Sequence, residues 1–471
     1  MRNPMKVTVI VFAALALVAG VAAFLLSRVD VRSRFEALVA EATGLDVAVK
    51  GGVSIGLFPT LHVRLKNVTL KNKGAPIASF GKADVGVEFW PLLHKQVLIN
   101  RLTLQDASVD VVRDRHGHFN FATSQKGSTE KRYFPAMSLG SVSLADVAFR
   151  YTNQKSAKEL KATDCKFDSN DFQIAGGSIE DIMKHLSLSA RIQCGEMRNN
   201  LFVGTDVHFS VTGEQGIFKL TPVTMRIMDG KGSGNIDANF TGAAPVFRVH
   251  YVVTQLHVGN LFKSLAPGKA GEGFMDFTTD LSMRGWSADE MTRTADGEAS
   301  LRGKDLDMAI GNLDERLAHY ESSQNFNLVD VGAFFIAGPL GLAVTKGYDF
   351  ASIFQGTGGN THIRLLVSTW KVENGVAHAL DVAMATKENR LAMRGALDFV
   401  NKDFDDVTVA ILDKKGCARV EQKIHGSFSK PVIEKPNVIA SLAGPITRLI
   451  GKTRKLFGAK CTVVYQGSVQ P

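Results

Sequence analysis

Residues 275–284 read MDFTTDLSMR, and their alternation decides the fold. Met275, Phe277, Leu281 and Met283 fall on one side of an extended chain. Asp276, Thr278, Asp280, Ser282 and Arg284 fall on the other. A period of two describes a strand with one apolar and one wet face. The same rule sets Leu61, Val63 and Leu65 against His62, Arg64 and Lys66. At Asn67 the register shifts, as a β-bulge allows, and Val68 and Leu70 continue the apolar side. Val207, Phe209 and Val211 alternate with His208, Ser210 and Thr212, and Phe247, Val249, Tyr251 and Val253 follow suit. Turn signals separate such runs at Asn72-Lys73-Gly74, His116-Gly117-His118, Asp229-Gly230-Lys231-Gly232, Asp296-Gly297 and Asn374-Gly375. The last, between Leu365-Leu366-Val367 and Leu380-Asp381-Val382, is the strongest hairpin signal.

The first residues depart from this pattern. Val7 to Leu26 carry no charge, with Arg2 and Lys6 before them and Arg28 after them. About 20 residues at roughly 1.5 Å rise match a hydrocarbon core about 30 Å thick. The segment reads as an uncleaved membrane anchor. A cleavable signal peptide, with Val21-Ala22-Ala23 as its small-residue site, is the competing reading, although a secretory apolar core usually spans only about 7–15 residues. Either way the body is exported. Asp30 to Thr43 then reads as a short helix ended by Gly44.

The remaining composition suits an exported, folded body. The chain has 471 residues, 45% hydrophobic and 21% charged, with a net charge of +9. This length calls for two or more units, or one elongated array. No arginine-rich run interleaved with aromatics occurs, so the basic balance reads as a diffuse solvated surface, and nucleic acid is not an expected partner. Cys165, Cys194, Cys417 and Cys461 form no CxxC motif. Their spacing suggests disulfides Cys165–Cys194 and Cys417–Cys461 in an oxidising compartment; four buried free thiols are the alternative.

Leu102 to Ala107 (LTLQDA) echoes Val142 to Val147 (VSLADV) forty positions later, and Val68 to Asn72 is a fainter copy. Each reads as a strand running into a turn and out again, in units that stack on their neighbours. Chance similarity among alternating strands competes with this. Two regions break the strand pattern. Leu313 to Phe350 opens with a helix (Leu313, Arg316, Leu317, Tyr320), and Gly338-Pro339 interrupts its apolar stretch Val331 to Val344, too short for a second span. It reads as short helices capping a sheet. Asn437 to Lys460 is amphipathic and basic, either a membrane-surface helix or one packed on the sheet.

No catalytic constellation emerges. GxSxG, P-loop, HExxH and strand-to-helix GxGxxG patterns are all missing. His116 and His118 read as loop residues, and Asp405-Asp406, adjacent on a strand, point to opposite faces. Gly230, Gly232 and Gly234 read as a turn into a strand, with no following helix to bind phosphate. The chain is therefore expected not to be an enzyme and to need no cofactor or metal.

A resemblance adds to this reading. Thr43 to Val47, Gly51-Gly52-Val53, Phe58 to Val63, Asn67 to Asn72, Pro91-Leu92-Leu93, Ile99 to Val111 and Gly117 to Phe121 resemble the N-terminal domain of the AsmA-like family. Asn325 to Leu328, Gly338-Pro339-Leu340, Gly358 to Thr361, Trp370 to Ala377, Ala383 to Ala392 and Tyr465 to Val469 are similar to the family's C-terminal part. The resemblance implies a bacterial inner-membrane protein, single-pass, with its bulk in the periplasm. It implies a mainly β fold: an N-terminal transmembrane helix followed by an elongated, curved antiparallel sheet, groove or open and barrel-like, with a few capping helices. The parts would be the stub and anchor (1–28), an N-terminal AsmA-like domain (29–155), a middle β-rich region (156–310) and a C-terminal AsmA-like region (311–471).

The groove would bind or transfer phospholipid, or another acyl-chain lipid, for envelope biogenesis. Its lining candidates are Leu61, Val63, Leu65, Val207, Phe209, Val211, Phe247, Val249, Tyr251, Met275, Phe277, Leu281 and Met283. Besides the lipid, the expected partners are the inner membrane and outer-membrane assembly proteins. The alternative function is a non-enzymatic scaffold for outer-membrane protein or polysaccharide assembly, with a closed apolar core.

Overall fold

The alternating run at 275–284 forms the greater part of one long strand, Gly271–Arg284, and strands of this kind make up most of the described residues. The computed structural model describes residues 32–33, 36–37, 40, 45–56, 61–88, 99–120, 137–174, 179–199, 202–265, 271–309, 311–315, 317, 359–435, 437–438 and 463–471. The segment Val7 to Leu26, most of 313–350 and residues 439–462 lie outside these. Among the described residues no helix is long and apolar enough to cross a membrane. The chain divides into two units, Met1–Ile182 and Met183–Pro471.

In the first unit β1 (Asp46–Val49) and β2 (Val53–Gly56) both pair with β3 (His62–Asn72). β4 (Ala75–Val87) and β5 (Ile99–Arg113) follow antiparallel. Then β6 (Met137–Asn153) pairs with β5 in parallel, and β7 (Lys158–Ile174) returns antiparallel. The expectation of a purely antiparallel sheet is thus corrected at β5–β6. A parallel pair needs a crossover of about a dozen residues or more, and residues 114–136 are long enough to make it.

That parallel pair also accounts for the echo in the sequence. Leu102 lies opposite Val142, Thr103 opposite Ser143, Leu104 opposite Leu144 and Ala107 opposite Val147. The two copies are neighbours in register. Neither contains a turn, however: the strands run straight through. Asp106 (φ 52°) and Asp146 (φ 54°) instead adopt the left-handed conformation inside their strands, as Asn67 does (φ 52°) in β3. Asn and Asp tolerate this region because their short polar side chains bond locally. One such residue shifts the alternation by a step, so Leu65 and Val68 share one buried face although three positions apart. Asn67, Gly81, Asp106 and Asp146 occupy corresponding positions on four adjacent strands, and a Cβ at Gly81 would lie 2.8 Å from Asp106 Oδ2.

Helical residues precede the first strand at Arg32, Ser33, Glu36, Ala37 and Ala40, within the predicted helix. Glu36 accepts the backbone N–H of Val49 at 2.7 Å, tying this segment to β1.

The second unit runs from β8 to β21 and is antiparallel throughout its described pairings. Each of β8 (Ser187–Asn199), β9 (Val203–Glu214), β10 (Ile217–Ile227), β11 (Gly230–Asn239), β12 (Val246–His257) and β13 (Gly271–Arg284) pairs with the next. The series continues through β14 (Asp296–Met308), β15 (Thr361–Glu373), β16 (Val376–Ala385), β17 (Arg390–Asp398), β18 (Asp403–Leu412) and β19 (Ala418–Ser427). β20 (Lys430–Ile433) and β21 (Asn437–Val438) both pair with β19. Asn437 and Val438, expected in an amphipathic helix, are therefore extended.

Among the described residues helices are few and short. α1 is Ile179–His185, α2 is Val258–Leu265 and α3 is Ala288–Arg293. Ser287 caps α3 by accepting the N–H of Glu290 at 3.2 Å. Leu313 and Leu317 are helical, as their spacing predicts, and both are buried.

The turns follow local chemistry. Asn374 (φ 50°) and Gly375 (φ 80°) form the expected two-residue hairpin between β15 and β16. Positive φ at both positions fits the right-handed twist of the strands. Asp229-Gly230-Lys231-Gly232 is corrected: Met228 and Asp229 make the turn, and Gly230 to Gly232 already belong to β11. Asp296-Gly297 likewise begins β14 rather than forming a turn.

Candidate functional site: an apolar sheet face

Cross-strand register decides which side chains share a face. In the second unit one row runs Val211, Leu220, Ile236, Val249, Leu281, Gly297, Val372, Ala377, Leu397. The next runs Phe209, Val223, Gly234, Tyr251, Thr279, Ala299, Trp370. Val253, Phe277 and Leu301 begin a third row, Leu256 and Met275 a fourth, and Phe247 and Met283 lie at the opposite margin. Val207, opposite Cys194, directly follows the Asp206 kink and lies on the same side of β9. All ten predicted lining residues of this unit therefore sit on one face.

Coverage changes along that face. On β15 to β18, Trp370, Met384, Leu391, Val407 and Val409 are completely buried. On β9 to β13, Phe209, Leu220, Met225, Ile236, Val249, Phe277 and Leu281 pack on the same cluster but stay partly exposed. Burying an apolar side chain completely contributes about 1.5–3 kcal/mol. The chain gains this in full at those positions of β15 to β18 and only in part at these positions of β9 to β13, where Val207, Val223, Val253 and Met275 are nevertheless buried between the partly open side chains.

Tyr251, on β12, lies within the β9 to β13 region. Its ring lies across the neighbouring strand, where Gly232 and Gly234 present no side chain; a Cβ at Gly232 would overlap the Tyr251 hydroxyl. The side chain is 9% exposed, and its hydroxyl has no hydrogen-bond partner among the described residues. Burial pushes the phenol up to about 12 from its ordinary 10.0. These glycines escape a reading of DGKGSGN as a turn. Their signal is phase: Gly230, Gly232 and Gly234 keep step with Ile236 and Ala238 on the apolar side.

One margin of the face ends in aromatic contacts. Phe240 meets Phe218 and Phe247 edge-on at 5.5 and 5.8 Å, and Trp286 packs beside it at 5.8 Å. Trp286 Nε1 donates to the Ala243 carbonyl at 3.2 Å.

The opposite face of β15 to β18 is built differently. Ala383, Ala385, Ala392 and Ala410 line it, and Tyr465 and Val469 of the C-terminal segment cover them. Small side chains let that segment approach closely. The Tyr465 hydroxyl donates to Asp381, Ser468 N–H donates to the same carboxylate at 3.2 Å, and Arg390 Nη1 donates to the Val469 carbonyl at 3.1 Å. Burial, then the Asp381 bond, raises the Tyr465 phenol well above its ordinary value. The motif Tyr465 to Val469 is thus a structural clasp.

In the first unit Leu61 precedes β3, and Val63 and Leu65 lie on it, on the same side as Val53, Ala83 and Leu104. Leu65 is 1% exposed; Leu61 and Val63 are half-buried. His116 and His118 cap an exposed turn, where both backbone N–H groups donate to Asp114 Oδ1 and hold its carboxyl below the usual range. Asn120 secures that turn by accepting the Val112 N–H and donating to the Asp110 carbonyl. Asp405 and Asp406 are both exposed at a left-handed kink in β18. Cys165 and Cys194 are disulfide-bonded, in keeping with the pairing expected for them. Cys417 is disulfide-bonded too, and Cys461 lies outside the described residues.

These features define a β-rich protein whose larger described unit carries an extensive apolar sheet face. The AsmA family model matches residues 1–193, which supports an AsmA-like family assignment. That likeness fits envelope association in general. No curated protein matches the chain.

Proposed function

We propose that the chain is a non-enzymatic envelope protein whose face on β9 to β13 holds the acyl chains of a phospholipid. In this reading Val7 to Leu26 anchor it in the inner membrane and the body stands in the periplasm. The observation that carries the reading is the unequal coverage of one continuous face. The protein buries Trp370, Met384 and Leu391 completely yet leaves Phe209, Met225, Phe277 and Leu281 partly open. Large apolar side chains gathered in a partly open face suit a flexible apolar ligand. The AsmA-like assignment supports an envelope role.

The fully buried β15 to β18 region, clasped by Tyr465 and Val469, would be the structural body that holds the open part in shape. The scaffold alternative draws on that same closed region.

The test is to extract the full chain in mild detergent and identify co-purifying lipid by mass spectrometry. Phospholipid retained by the wild type and lost in Phe277→Asp and Met283→Asp, with the fold intact, supports the reading. No retained lipid, and no binding of added fluorescent phospholipid, would sink it. A variant that simply unfolds would place Phe277 in a dry core.

A further inference from the structure

The wet face of the first unit carries a charge arrangement that the apolar reading does not use. Strands β3, β4 and β5 place His62, Gly86 and Arg101 in one cross-strand row. Arg64, Asp84 and Thr103 form the next, and Lys66, Lys82 and Gln105 the third. All of these except Gly86 line a hollow of about 430 Å³, to which Leu65 and Ala83 also contribute. It holds four permanent cations and one carboxylate. Asp84 is already engaged, its Oδ2 accepting from Arg64 Nε at 2.9 Å.

Lys66 and Lys82 are directly opposed, both exposed, and neither has an ion-pair partner among the described residues. Like charges facing each other across a strand pair are destabilising. Two glycines shape the surroundings. A Cβ at Gly86 would lie 3.4 Å from Arg101 Nε, so the Arg101 side chain can pass over β4. A Cβ at Gly56 would overlap the His62 ring, so that imidazole lies over β2, where it is 4% exposed. The cations therefore ring a concave surface that also offers the Thr103 hydroxyl and the Gln105 amide.

We infer that this hollow binds a phosphate group, with Lys66 and Lys82 as its point charges and Arg101 two rows away at its other end. A phosphate offers several acceptor oxygens and more than one negative charge at the place where two ammonium groups repel. The phosphate could belong to a lipid headgroup or be free in solution. The site is independent of the acyl-chain reading, since none of its residues lies on β9 to β13.

The test uses the full chain in neutral detergent, titrated separately with inorganic phosphate and with short-chain phosphatidylglycerol, with short-chain phosphatidylcholine as reference. Binding is read by calorimetry at low and high salt. The wild type is expected to bind at least one anionic probe, more weakly at high salt. Lys66→Gln with Lys82→Gln should weaken it at least tenfold, while Lys155→Gln with Lys158→Gln, at the β6–β7 turn, should not. Inorganic phosphate binding identifies phosphate itself as the determinant; binding of phosphatidylglycerol alone identifies a headgroup. Lys66→Glu should abolish binding with no loss of thermal stability, because it turns the repulsive pair into an attractive one. Absence of binding to both anionic probes, binding of phosphatidylcholine equal to theirs, or undiminished binding in the double variant would overturn the inference. Phe277→Asp should leave binding of inorganic phosphate unchanged, which separates this outcome from that of the acyl-chain proposal.

Discussion

Replacing Tyr251 by Phe removes one buried oxygen and little else. The hydroxyl is buried with no partner among the described residues, and its ring rests over Gly232 and Gly234. Leaving a buried polar group unsatisfied costs about 1–3 kcal/mol. The substitution should recover most of that, less a few tenths for the small void left above Gly232. The sign is unusual, since most core substitutions destabilise. For a unit of this size each kcal/mol corresponds to roughly 2 °C, so the transition of the second unit should rise by about 2–6 °C. The assay is differential scanning calorimetry of the lipid-free full chain, with urea denaturation followed by far-UV circular dichroism as a check. Equal or lower stability in Tyr251→Phe would refute the reasoning, because it would mean that the hydroxyl contributes a hydrogen bond.

Other expectations follow from the same geometry. Gly234→Ala should destabilise more than Gly232→Ala, because its Cβ would meet the His250 carbonyl, which belongs to the backbone, whereas at Gly232 it meets the movable end of Tyr251; overpacking costs about 1–3 kcal/mol, and denaturant titration of both variants gives the order. Trp370→Ala, at a completely buried position, should cost about 3–5 kcal/mol and Phe277→Ala clearly less, read from the same transitions. Asp106→Gly should be tolerated and Asp106→Val should lose about 1–2 kcal/mol, since a branched side chain at φ 52° is strained; thermal unfolding of the pair decides it. Ultraviolet titration should show tyrosines ionising late, Tyr251 near 12. The folded state then keeps a proton that the unfolded chain releases from about pH 10, so stability should fall as the pH rises from about 10 to about 12.

The strands were legible because one face is apolar and one is wet, which writes a period of two into MDFTTDLSMR and its counterparts. The Asn374-Gly375 hairpin was legible because its two positive φ values demand those residues. The echo between Leu102 and Val142 pointed to neighbouring strands, but their parallel direction depends on the crossover of 114–136, which no local pattern specifies. The left-handed kinks at Asp106 and Asp146 were hidden, since a single Asp in an alternating run also fits the wet face. Gly232 and Gly234 read as a turn in the sequence because glycine suits both uses; only the partner Tyr251, on the next strand, separates them. Coverage of the apolar face is a tertiary property. Phe277 and Trp370 belong to equally apolar strands, and nothing in either stretch tells which will be covered.

The most direct measurement is photocrosslinking from two points on that one face. A photoreactive phenylalanine derivative replaces Phe277 on β13 in one variant and Leu397 on β17 in another. The full chain is irradiated in membranes, and adducts are identified by mass spectrometry. The acyl-chain account predicts phospholipid adducts at position 277 and none at 397. Adducts at neither position, or equal adducts at both, would contradict it.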